Sequence, residues 1–214
     1  MAQKNEKNEK NDRRERPESI NRGRRQFLKT AGVAPLMAGV AAGSVAEAQT
    51  AGTRVVGPGD VPIQLLVNGK RVNLTVEPRV TLLNALRNKA DLIGNKRGCD
   101  RGVCGACTMI IDGRTAYACS TLAIEAQGKQ IRTVDGLANG ATLHPVQQAF
   151  CDRDALMCGF CTPGFVMATV ALIERHPNPT PAQVKQGLDG NICRCGTFTR
   201  IMEAATSVKG VTRG

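Results

Sequence analysis

An α+β fold is predicted for this chain by two observations. Alternating apolar patterns joined by tight Asn-Gly and Asp-Gly hairpin turns fill residues 60–135, and helical periodicity with legible capping signals takes over from Thr142. Of the 214 residues, 42% are apolar but only five are Phe, one Tyr and none Trp, so the core must be built from Val, Leu, Ile, Ala and Met.

Residues 1–22 are Lys, Asn, Glu and Arg with almost nothing apolar, a composition that cannot bury enough surface to order itself. Arg24-Arg25-Gln26-Phe27-Leu28-Lys29 follows, then an uncharged stretch from Thr30 to Ala46, then Ala46-Glu47-Ala48. These are the three parts of an export signal. The apolar part is too short for a comfortable transmembrane helix, which wants about 20 apolar residues. Paired arginines before Phe-Leu-Lys resemble the twin-arginine (Tat) signal, with Gly23 where that motif usually carries Ser or Thr. Residues 1–48 are therefore expected to be a Tat-type signal cleaved near Ala48, placing the mature chain in the periplasm by way of the Tat translocase, and residues 49–60 a linker.

Strands are predicted at Ile63–Val67 and Arg71–Val76, joined by an Asn68-Gly69 hairpin turn. Thr81 is placed to cap a short helix running to Lys89. A second hairpin is read from Thr108–Ile111 and Thr115–Tyr117 around Asp112-Gly113, and a last strand from Gln130–Val134. Helices are expected over 143–151, 163–176, 181–188 and 198–207. Thr162-Pro163 and Thr180-Pro181 each read as cap plus first helical residue, and Gln183 completes a capping box in the second. Pro177 and Pro179 end the preceding helix. The domains are then 61–136 and 137–214.

The formal charge of +11 divides into +4 over residues 1–48 (ten basic, six acidic) and +7 over the rest (nineteen basic, twelve acidic). No basic stripe runs through the folded part and few aromatics are available for stacking, so no nucleic-acid partner is expected.

Eight of the nine cysteines fall into two groups of four. Cys99, Cys104, Cys107 and Cys119 have the Cys-x4-Cys-x2-Cys spacing and distant fourth ligand of a plant-type ferredoxin. Gly98, Gly102 and Gly105 let the loop wrap closely, and Arg97 and Arg101 stand ready to offset a cluster's negative charge. A structural zinc site also uses four thiolates, but it usually pairs two short hairpin-borne motifs. The second group, Cys158, Cys161, Cys193 and Cys195, is by spacing alone compatible with zinc, copper or iron. Both its halves precede predicted helices, where partial positive charge favours thiolates. An iron-sulfur protein is assembled where sulfide and reduced iron are supplied, and Tat carries folded cargo.

Cys151 fits neither group and is read as a buried structural thiol. His144 and His176, beside prolines, are read as structural or solvent-facing.

Three motifs in order carry a resemblance over roughly residues 60–208: Gly98-Cys99-Asp100-Arg101-Gly102-Val103-Cys104-Gly105-Ala106-Cys107, then Cys158-Gly159-Phe160-Cys161-Thr162-Pro163-Gly164, then Gly190-Asn191-Ile192-Cys193-Arg194-Cys195-Gly196. The chain resembles the iron-sulfur subunit of the xanthine oxidase family of molybdenum hydroxylases. That resemblance implies a β-grasp 2Fe-2S ferredoxin domain followed by a four-helix domain with a second 2Fe-2S cluster, and all eight cysteines as ligands. It also implies a large molybdopterin-binding partner that oxidises aldehydes or N-heterocycles, with a FAD subunit or a cytochrome c as acceptor. No catalytic residue is expected in this chain. The family usually carries Gln before the first cysteine of the second motif, where it contacts molybdopterin; here the residue is Met157. The competing expectation is a free-standing periplasmic 2Fe-2S shuttle, and a third is a zinc-stabilised exported module.

Overall fold

The computed structural model describes residues 57–209; the export signal and cleavage site expected from the sequence, and most of the expected linker, lie outside them. Five strands form one mixed sheet: β1 (Val61–Val67), β2 (Lys70–Val76), β3 (Thr108–Ile111), β4 (Arg114–Tyr117) and β5 (Gln130–Arg132), in the order β2-β1-β5-β3-β4. The β1–β5 pair is parallel and the others antiparallel. Both hairpins turn where the sequence predicts. Asn68 and Gly69 have φ of 50° and 75°, and Asp112 and Gly113 have 48° and 77°, the left-handed pairs that a two-residue turn needs to follow strand twist.

Helix α1 (Leu82–Lys89) lies against the sheet and buries Leu82, Leu83, Ala85 and Leu86. Thr81 Oγ1 accepts from the Asn84 N–H at 3.3 Å, as its position suggests. Two further N–H groups of the first turn find partners across the fold: Leu82 donates to the Thr121 carbonyl at 2.7 Å and Leu83 to that of Ala118 at 3.0 Å. The unsatisfied end of a helix thereby anchors the segment that carries Cys119.

Strand β3 ties this β-grasp unit to the helices. All four of its residues are buried. Met109 and Ile111 enter the core with α1, β1 and β5, while Ile110 enters a second core built by the helices. A strand covered on both faces reads as a continuous apolar run, as Met109-Ile110-Ile111 does.

The helical half comprises α2 (Pro145–Asp152), α3 (Thr162–Arg175), α4 (Pro181–Leu188) and α5 (Phe198–Ser207). Helix α3 is its axis, burying every residue from Gly164 to Ile173 and packing on β3. Thr180 and Gln183 form the expected capping box of α4. Among the described residues no helix is long and apolar enough to cross a membrane.

Four local expectations are corrected. The last strand ends at Arg132, because residues 134–136 turn into a short 3-10 helix. Helix α2 begins at Pro145, with His144 as its cap: His144 Nδ1 accepts from the Val146 N–H at 3.2 Å and Gln147 Oε1 from the His144 N–H at 3.0 Å. Thr162 does not cap α3; it is the first helical residue behind Cys161, and its hydroxyl is buried with no partner among the described residues. Cys151 is exposed rather than buried, since α2 turns Val146, Ala149 and Phe150 inward and the next position faces out.

Candidate metal centres

The first cysteine group is laid out by a loop whose backbone N–H groups point at sulfur. Cys99 Sγ accepts from Val103 and Cys104 N–H at 3.3 Å each, Cys104 Sγ from Cys99 N–H at 3.3 Å, and Cys119 Sγ from Gly102 N–H at 3.2 Å. Such donors stabilise thiolate and the sulfur of a bound cluster alike. Gly98 is required by proximity: a Cβ there would stand 2.8 Å from Cys104 Sγ. Arg101 is tied to the loop through the Cys99 carbonyl, and Arg97 reaches Asn84 at the start of α1.

Helix termini position the second group. Cys161 caps α3, and Cys193 Sγ accepts from the Thr197 N–H at 3.4 Å at the head of α5. Cys193 is buried, Cys161 half-buried, and Cys158 and Cys195 exposed.

Neighbouring thiols within each group act on one another's acidity: Cys104 on Cys99, Cys119 and Cys104 on Cys107, Cys195 and Cys193 on Cys158, and Cys193 and Cys158 on Cys161. Four thiolates are the donor set that a 2Fe-2S cluster requires. The residues present therefore fit 2Fe-2S centres.

The thiols differ in acidity for reasons visible in the fold. Cys99 is brought down to about 6 by backbone hydrogen bonds from Arg101 and Cys104, whereas burial pushes Cys107 up to about 12. Burial likewise raises Cys161 to about 12. At Cys193 burial is outweighed by hydrogen bonds from Thr197 and Cys161, and the thiol falls to about 7. Cys158 is lowered as well, first by a backbone hydrogen bond from Phe160, and the raised thiols Cys107 and Cys161 must release their protons when metal is bound.

The structure links Cys99 to Cys104 and Cys119 to the same loop by hydrogen bonds, sets Cys193 beside Cys161, and leaves Cys151 exposed on the outer face of α2. It also adds residues that sequence reasoning passed over. Ile192 N–H donates to the Cys104 carbonyl at 2.9 Å, Asn191 Nδ2 to the Gly105 carbonyl at 2.8 Å, and Tyr117 OH to the Gly190 carbonyl at 2.6 Å. Asn191 and Ile192 belong to the third motif; Tyr117 is the one tyrosine of the chain.

Comparison with known proteins agrees with this geometry. Residues 70–162 match the family described as 2Fe-2S iron-sulfur cluster binding domain, and residues 133–206 the [2Fe-2S] binding domain. The chain is 47% identical over 150 residues to the nicotine 6-hydroxylase small subunit of Paenarthrobacter nicotinovorans, covering 70% of this chain and 90% of that one. It is 40% identical over 168 residues to the aldehyde oxidoreductase iron-sulfur-binding subunit of Escherichia coli O157:H7, covering 72% and 73%. Among solved structures, quinoline 2-oxidoreductase from Pseudomonas putida 86 aligns with a TM-score of 0.67 at 40% identity over 69% of this chain and 91% of that one. With matching motifs, a matching fold and relatives covered over 73% to 91% of their length, the chain belongs to the iron-sulfur subunits of molybdenum hydroxylases of the xanthine oxidase family.

Proposed function

We propose that this chain is the electron-transfer subunit of an exported molybdenum hydroxylase. Cys99, Cys104, Cys107 and Cys119 hold one 2Fe-2S cluster and Cys158, Cys161, Cys193 and Cys195 the other. The observation that carries the reading is the set of backbone N–H groups donating to the Cys99, Cys104, Cys119 and Cys193 sulfurs, with the Ile192–Cys104 hydrogen bond joining one group to the other.

Oxidation of an aldehyde or N-heterocycle in a molybdopterin-bearing large subunit releases two electrons, and each 2Fe-2S centre accepts one at a time. Relatives named for nicotine, an aldehyde and quinoline support both substrate classes. This chain's residues hold the sulfurs, donate hydrogen bonds to them and keep the two groups in register.

The exposed pair Cys158 and Cys195 marks the side toward the partner. Leu156, Met157, Phe160, Ile192 and Phe198 surround these cysteines in sequence and are all exposed, Met157 by 73%. Exposed apolar surface of this density is what a protein partner covers. Met157 meets that partner through a thioether, which donates no hydrogen bond. Cys99 and Cys104, half-buried beside Arg97 and Arg101, mark the exit toward a FAD subunit or a cytochrome c.

Purification of the native protein from the periplasmic fraction tests the reading. A larger molybdenum-containing subunit should co-elute, and the mature chain should begin close to Gln49. A chain that elutes alone, without molybdenum, supports the free shuttle instead; a chain retained in the cytoplasm with residues 1–48 attached removes the export step.

A further inference from the structure

The joint between the two cysteine groups uses side chains that neither group needs for itself. Asn191 is buried, with 7% of its surface exposed. Its Nδ2 donates to the Gly105 carbonyl at 2.8 Å and to Thr108 Oγ1 at 3.3 Å, while Thr108 Oγ1 donates to the same carbonyl at 2.6 Å. On the other side, Tyr117 OH donates to the Gly190 carbonyl at 2.6 Å. The turn preceding Cys193 is thus fastened by Tyr117 at Gly190 and by the carboxamide at Asn191. Immediately after these anchors, Ile192 N–H meets the Cys104 carbonyl at 2.9 Å.

The packing leaves no slack at this point. A Cβ on Gly164 would collide with the Gly105 carbonyl, and one on Gly190 with the Tyr117 hydroxyl. Three segments far apart in sequence therefore meet backbone to backbone, and the path from Cys193 to Cys104 is covalent except for one hydrogen bond.

We propose that Asn191 and Tyr117 are positioning residues for electron transfer between the two cysteine groups, acting by holding Ile192 N–H on the Cys104 carbonyl. The inference rests on the reading that each group holds a 2Fe-2S cluster. In the step, one electron leaves the centre held by Cys158, Cys161, Cys193 and Cys195, which is oxidised by one unit. It enters the centre held by Cys99, Cys104, Cys107 and Cys119, which is reduced by one unit. The electron originates in the partner's substrate oxidation, and no bond forms or breaks in this chain.

The test uses the purified complex carrying Asn191→Asp, which keeps the side-chain shape but removes the donor, or Tyr117→Phe, which removes only the hydroxyl. Iron content reports whether both centres are retained, and low-temperature EPR of the fully reduced complex reports the magnetic splitting that each paramagnetic centre imposes on the other. The expected result is full iron, unchanged g values for each centre alone, and a diminished splitting, more so in Asn191→Asp. Intramolecular electron passage should slow in the same order. Unchanged splitting in a fully iron-loaded variant overturns the inference. If Asn191→Asp fails to retain iron, Tyr117→Phe decides by the same criterion. A wild-type complex with two centres but no splitting overturns this inference alone, whereas a wild-type complex without two 2Fe-2S centres overturns the functional reading beneath it.

Discussion

Cys151 and the eight grouped cysteines differ in what surrounds them. Replacing Cys104 by Ser removes a sulfur that accepts the Cys99 N–H, and the expected outcome is loss of the first centre and of roughly half the iron. Cys151→Ser changes only an exposed position on the outer face of α2 and should leave the iron content unchanged, as measured by metal analysis of both variants. His144 makes the stability of the fold depend on pH. Its imidazole is held below its ordinary pKa by burial and then by Arg132, with Glu174 opposing, and its neutral Nδ1 accepts from Val146. The unfolded chain therefore takes up a proton first as pH falls, so this stabilisation is complete above about pH 6.5 and is lost as pH drops below it. His144→Asn, which keeps a capping acceptor, should flatten the difference in melting temperature between neutral and mildly acidic solution; an undiminished acid loss would exclude His144 as its source.

At the scale of elements, β3 is where the two halves share a core. Ile110→Ala removes a fully buried side chain from the helical core through a strand of the sheet, at an expected cost of about 2–5 kcal/mol read by denaturant unfolding. The ion pair between Arg132 of β5 and Glu174 of α3 spans the same joint, with two hydrogen bonds at 2.6 and 3.0 Å and a carboxylate only 6% exposed. Arg132→Met should cost about 1–3 kcal/mol by the same measurement, whereas Asp154→Asn at the exposed pair with Arg200 should cost about 0–1 kcal/mol. Much of this framework was legible in the sequence because its signals are local. Asn68-Gly69 and Asp112-Gly113 dictate turns, Thr81 and Thr180 dictate caps, and the cysteine spacings dictate the groups. What escaped was decided by tertiary contact or by the phase of a helix. Thr162 lost the cap to Cys161, His144 gained one through a side chain seldom used that way, and the exposure of Cys151 followed from which face of α2 turned inward. Asn191 and Tyr117 had no legible role because their partners lie more than seventy residues away in the chain.

At the scale of the molecule, one turn of backbone connects two metal-binding halves that are stabilised by separate cores but meet at β3, α3 and the segment before Cys193. That construction suits a protein whose work is to keep two redox centres at a fixed separation while apolar surface near the second meets a partner. The central claim is that the cysteines hold two 2Fe-2S clusters, four ligands to each. The measurement that tests it most directly is low-temperature EPR of the dithionite-reduced protein with iron and zinc quantified on the same sample. Two distinct 2Fe-2S signals and about four irons per chain without zinc are expected. Zinc in place of iron, with no EPR signal, or a single signal with half that iron, would contradict it.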